Sequence, residues 1–146
     1  MTALIVYFFT ALVVSFICSL LESVLLSVSH AHIAVLIKEG KSRGRIMASL
    51  KENINRPLSA ILTINTIANT VGAAGVGAQT YSVFGSGWVA LSSFILTLSI
   101  LFFSEIIPKT LGANYTKSLV GLTAYVTRGL IFVVFPMVIV GEKISK

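Results

Sequence analysis

The chain is predicted to be an all-α integral membrane domain: three transmembrane helices, N-terminus outside and C-terminus cytoplasmic, with amphipathic juxtamembrane helices on the inner face. Three observations predict this. Of the 146 residues, 55% are apolar and 11% charged, with a mean hydropathy of +0.95, a composition that soluble domains of this size do not carry. Residues 3–29, 58–83 and 88–107 each reach the roughly 20 apolar residues that a bilayer core demands. All eleven Lys and Arg follow either the first or the third of these segments, and basic residues mark the cytoplasmic side.

The first span has no Lys or Arg before it, and its apolar run from Ala3 to Leu21 is too long for a cleavable leader. It is read as retained. Cys18 lies inside it and has no second cysteine to pair with, so it packs as a small hydrophobe. The connection that follows carries Lys38, Lys41, Arg43, Arg45, Lys51 and Arg56. It reads as helical: Ile33, Leu36 and Ile37 continue the period of the first span, and Ile46, Met47, Leu50 and Ile54 form a second apolar stripe that Ser42 is expected to cap. Pro57 suits the first turn of the second span, where its missing N–H costs nothing.

Between the second and third spans the tip Phe84-Gly85-Ser86-Gly87 carries no charge, and the interfacial aromatics Tyr81 and Trp88 flank it. This end faces outward. Residues 118–140 are also apolar, but a fourth crossing would place Arg128 in lipid, strand Lys143 and Lys146 outside and contain Pro136. They are therefore predicted to lie on the inner face as amphipathic or re-entrant helices. With no Ser/Gly/Pro-rich linker and no internal repeat, one domain over residues 1–146 is expected.

The formal charge of +6 is spent on topology and lipid headgroups, so membrane lipid rather than nucleic acid is the expected partner. No phosphate-binding loop, nucleophile elbow or HExxH motif occurs, and no enzyme activity is expected.

Charge inside a span costs about 2.5–3.5 kcal/mol on insertion scales, so each intramembrane carboxylate is a functional candidate. Glu22 and Glu105 each follow about nineteen residues of span, which at 1.5 Å per residue places both roughly 25–28 Å from the outer surface, close to the inner boundary. Ser19, Ser23 and Ser27 are spaced four apart and share a helix face that Glu22 adjoins. In the second span Asn65 and Asn69 repeat that spacing, with Thr66 and Thr70 beside them. Carboxylate, amide and hydroxyl oxygens suit hard cations such as Mg²⁺ and Na⁺, and the imidazole- or thiolate-rich set preferred by zinc or copper is missing. Serines and asparagines also act as interhelical hydrogen-bonding groups, and Lys109, four residues after Glu105, offers it a plain helix-end salt bridge. Ala73 and Gly77 suit close helix contact, and His30 and His32 read as interfacial residues.

The motifs Ser19-(x)2-Glu22-Ser23-(x)3-Ser27, Asn65-Thr66-(x)2-Asn69 and Glu105-Ile106-Ile107-Pro108-Lys109-Thr110, in this order, resemble the DUF21 transmembrane domain of the CNNM/CorC magnesium transporters across essentially the whole chain. The resemblance implies a homodimer of three-helix units with an inward-facing polar cavity, a belt of helices after the third span, and Mg²⁺ transport, with Na⁺-coupled efflux as the proposed mode. Metal ligands are then sought at Ser19, Glu22, Ser23, Ser27, Asn65, Asn69 and Glu105, with Pro108 and Lys109 shaping the end of the third helix. Leu20, Ile64 and Ser104 stand where the family usually has glycine. Relatives carry cytoplasmic CBS domains that this chain does not include, so it is expected to be part of a longer protein in the bacterial inner (plasma) membrane. Two alternatives stay open: an anchor and dimerisation module that senses Mg²⁺ without moving it, and transport of Mn²⁺ or Co²⁺.

Overall fold

The computed structural model describes residues Met1–Lys146 as helices joined by short turns, with no strand. Four helical stretches are long and apolar enough to cross a membrane: Thr2–Ser27, Asn55–Phe84, Ser86–Asn114 and Thr116–Ser145. The first is α1 (Thr2–Ser27) and the second α4 (Asn55–Phe84). A hairpin of α2 (His30–Lys38) and α3 (Ser42–Glu52) joins them.

The hairpin departs from the expected continuation of the first span. Val28 is extended and breaks α1, and Ser29 then caps α2 by accepting a hydrogen bond from the His32 amide at 3.1 Å. Ser42 is the first residue of α3 and Lys41 takes the cap position without a side-chain bond, so the expected Ser42 cap is not formed. Ile33 and Leu36 are buried as their spacing predicts, and Ile37 is exposed. Lys51 returns to α1, donating from Nζ to the Val28 carbonyl at 2.8 Å, so that α3 closes over the end of the first helix. At the outer tip of this hairpin Lys41 hydrogen-bonds Glu39 and holds its carboxyl below the usual carboxylate range.

Helices α1 and α4 run antiparallel in close contact. A Cβ at Gly72 would collide with the Cβ of Ala11, and one at Gly75 with the Tyr7 ring, so the glycines set this approach. At the far end Gly85 turns the chain with φ +90°, a conformation that side chains rarely adopt. The third long stretch then returns as α5 (Val89–Ser99), a π-helical segment (Ile100–Ile106) and α6 (Ile107–Asn114).

The last stretch corrects one expectation. Residues 118–140 are not broken into pieces: α7 (Thr116–Ser145) is one helix that runs through Pro136. Val134 and Val138, on either side of the proline, are both buried against Ala60, which holds the helix together where Pro136 removes a backbone hydrogen bond. Earlier in α7, Val120 and Ala124 join the main core with Leu21, Val24, Met47 and Ile61. This core gathers the ends of α1 and α4 that carry the basic hairpin. Phe132 and Val133 on the opposite face are exposed.

Candidate functional site

The polar residues of the bundle gather along the α1 face that meets α4 and α6. From Gly72 beside Ala11 and Gly75 beside Tyr7, the antiparallel register runs on to place Asn69 at the height of Val14 and Ser15, and Asn65 at that of Cys18 and Ser19. Asn69 Nδ2 donates to Asn65 Oδ1 over a long 3.5 Å, one helical turn away. Ser19 is buried.

Several hydroxyls in these helices are satisfied locally. Thr63, Thr97, Ser99 and Thr110 each donate to the carbonyl four residues back, as hydroxyls in apolar helices commonly do. Ser15 Oγ and Asn69 Oδ1 differ: both are buried and have no hydrogen-bonding partner within the protein, a state shared, away from this layer, by the hydroxyls of Thr80, Thr123 and Thr127. Such atoms carry a desolvation penalty of about 1–3 kcal/mol each, so two in one layer invite a functional reading. Ser15 is absent from the sequence-predicted set. Its signal was available, because Ser15 stands four residues before Ser19 and extends the Ser19-Ser23-Ser27 stripe by one turn.

The third helix reaches α1 through two hydroxyl contacts. Ser104, fully buried, donates to the Leu12 carbonyl at 2.8 Å, and Ser23 donates to the Lys109 carbonyl at 2.6 Å. Just beyond the second contact, Gly112 lies against α1 so closely that a Cβ there would sit 2.6 Å from Ser23 Cβ and 3.1 Å from the Leu20 carbonyl oxygen. Ser104, where the resemblance led glycine to be expected, thus supplies one of the two hydroxyl links to α1.

The contacts separate the two carboxylates. Glu105 follows Ser104 and lies near the height of Ser15 and Asn69, whereas Glu22 adjoins Ser23 and Lys109 further along α1. Glu22 Oε2 is 3.8 Å from Lys109 Nζ, so the lysine pairs with Glu22 and not with Glu105 as helix spacing suggested. Both partners are substantially exposed, which limits the worth of the pair to about 1 kcal/mol or less. Glu22, Ser23, Ser27 and Lys109 surround an open cleft of about 240 Å³.

Glu105 sits in the π-helical segment. Pro108 has no N–H to return to the Ser104 carbonyl, and the Ile107 amide reaches the Phe102 carbonyl, five residues back. A wide turn of this kind re-aims the side chains within it, which the plain helical spacing of the sequence could not show.

No three His, Cys, Asp or Glu side chains gather at one place, so any cation on this seam would meet hydroxyl, amide and carbonyl oxygens with at most one carboxylate per layer. The seven predicted residues thus fall into three groups: Glu22, Ser23 and Ser27 at the cleft; Ser19 and the Asn65–Asn69 pair within the α1–α4 contact; and Glu105 on the wide turn.

Membrane-length helices wrapped around an internal seam of oxygen atoms define a polytopic helical membrane domain. The chain belongs to the family described as the cyclin M transmembrane N-terminal domain, whose profile matches residues 5–146. It is 34% identical over 94% of its length to the UPF0053 protein sll1254 of Synechocystis sp., covering 40% of that protein. A UPF0053 protein of Haemophilus influenzae is 27% identical over 80% of the chain and is itself 28% covered. The UPF0053 inner membrane protein YfjD of Escherichia coli is 23% identical over 80%, with 27% covered. The chain therefore spans two fifths or less of the length of these curated relatives.

Proposed function

We propose that this domain carries Mg²⁺ across a membrane as the transmembrane part of a larger transporter, with Na⁺ as the coupling ion and efflux as the direction. The observation that carries the reading is the layer containing Ser15 Oγ and Asn69 Oδ1, two buried oxygens without partners, with Glu105 on the third helix at a similar height. Hard oxygen donors of this kind suit Mg²⁺, which keeps several waters and asks for few protein ligands. The ion enters at the cleft of Glu22, Ser23 and Ser27, exchanges against the Lys109 ammonium, and moves along Ser19 and Asn65 to the Asn69 layer. Rocking of α4 and the third helix against α1 then opens the seam to the other side.

In this reading three stretches cross the bilayer and α7 lies on the inner face, with the N-terminus outside. Two features support it. The core contacts of α7 fall on the inner end of α1, on Met47 and Leu50 of α3, and on Ala60 and Ile61 near the start of α4. A fourth crossing would also carry Arg128 into lipid, at about 2.5–3.5 kcal/mol. The name of the Escherichia coli relative places that protein in an inner membrane, and we assign this chain to the bacterial inner membrane, as a homodimer, on the same reading.

The test is Mg²⁺ flux in proteoliposomes with and without an opposing Na⁺ gradient, comparing the parent with Asn69→Ala and Glu22→Ala. Gradient-dependent flux that both substitutions abolish supports the proposal. Mg²⁺ binding with no flux in the full-length protein would replace it with a sensor and dimerisation role, and equal flux of Mn²⁺ or Co²⁺ would remove the ion assignment.

A further inference from the structure

We infer that the cleft between α3, the start of α4 and α7 is a binding site for the headgroup of an anionic phospholipid. Three arginines from three different helices line it: Arg45 on α3, Arg56 on α4 and Arg128 on α7. The cleft holds about 690 Å³, well above the cleft at Glu22.

The charges are not balanced from within. Glu52 is the one carboxylate in the wall, and Glu142 approaches Arg56 Nε at 3.5 Å. Phe135 lies under the same guanidinium, 5.9 Å from its carbon to the ring centroid. Arg56 thus has an acid and an aromatic ring close by, although its buried Nε forms no hydrogen bond, while Arg45 and Arg128 form no ion pair. Gathering like charges on separate helices costs energy unless an anion joins them. A phosphate group does this well, because each guanidinium presents paired N–H donors that match two phosphate oxygens. Ser49 and Asn53, also in the wall, add neutral polar groups suited to a glycerol or sugar hydroxyl.

A lipid is favoured over a free phosphate by what adjoins the cleft. Ile131 and Leu50 line it, and one residue beyond Ile131 the helix exposes Phe132 (84%) and Val133 (70%). An occupant with a phosphate at one end and acyl chains at the other meets both surfaces, whereas inorganic phosphate meets only the charged one. Because Arg45, Glu52 and Asn53 belong to the connection between α1 and α4, the site is at headgroup depth, where basic pockets between membrane helices meet anionic lipid. The inference stands apart from the transport reading, since none of these residues lies on the seam.

Native mass spectrometry of the detergent-solubilised chain, titrated with dioleoyl phosphatidylglycerol, dioleoyl phosphatidylcholine or inorganic phosphate, tests it. The expected result is phosphatidylglycerol retained at least about tenfold more tightly than phosphatidylcholine. The pair Arg45→Gln and Arg128→Gln should remove that preference, and Lys143→Gln with Lys146→Gln, an equal loss of charge elsewhere, should keep it. Equal retention of the two lipids overturns the site, and that comparison needs no variant. Equal loss in both double variants reduces it to diffuse attraction, and complete displacement of phosphatidylglycerol by millimolar phosphate shows a soluble-anion site instead.

Discussion

Lys109 binds α1 twice: its Nζ lies 3.8 Å from Glu22 Oε2 and its carbonyl accepts the Ser23 hydroxyl at 2.6 Å. The backbone contact is the structural one, and the ammonium stands at the cleft as a replaceable cation. Lys109→Gln is accordingly expected to change thermal stability by no more than about 1 kcal/mol, as for exposed pairs. It should tighten Mg²⁺ binding several-fold, because Glu22 loses its competing partner. Calorimetric titration of parent and variant checks this, and unchanged affinity would remove Glu22 from the ion's route.

Gly112 sets the approach of α6 to α1. Gly112→Ala places a methyl 2.6 Å from Ser23 Cβ and forces the helices apart, at a cost of about 1–3 kcal/mol. A lowered unfolding midpoint in detergent, together with faster hydrogen exchange in α6, is the expected outcome. Stability equal to the parent would mean that the contact is looser than its geometry indicates.

Ser15→Ala removes a buried hydroxyl that has no partner. The ion-free protein should gain stability, by about 1 kcal/mol, while Mg²⁺ flux falls. Thermal unfolding in chelator and flux in liposomes give the two readings. A loss of stability in chelator would show that Ser15 serves as a helix contact.

Pro108→Ala restores an N–H that can return to the Ser104 carbonyl. The wide turn at Ile100–Ile106 is then expected to tighten, rotating Glu105 relative to Asn69 and cutting flux while helix content is unchanged. Circular dichroism beside flux distinguishes this from misfolding, and parental flux would exclude a role for the turn.

Much of this fold was legible because lipid imposes simple rules. Long apolar runs marked α1, α4 and the third stretch, and the glycine tip at Gly85 marked the turn between the latter two. The rest depended on how helices rotate about their axes. Spacing alone offered Lys109 to Glu105, but the wide turn and the close contact at Gly112 bring it to Glu22. Pro136 argued against one long final helix, yet Val134 and Val138 clamp it to Ala60 on both sides of the proline. In the site, the oxygen-rich motifs were visible as residue types, whereas the division of Glu22 and Glu105 between two depths was not. Ser15 needed only one more step along a stripe already in view.

The wide turn also bears on how the chain length of the third helix can vary. A π-helical turn accommodates an extra residue relative to α-helical winding, so Pro108, Lys109 and Gly112 owe their facing toward α1 to a one-residue surplus upstream. Deleting a single residue within 100–106 could be absorbed by rewinding that turn, leaving α6 in phase with α1. The same deletion within α1, where Ser104 and Ser23 fix both ends of the contact, would put every later side chain of that helix out of phase. Natural length variation in this domain should therefore collect at the wide turn and spare the first helix.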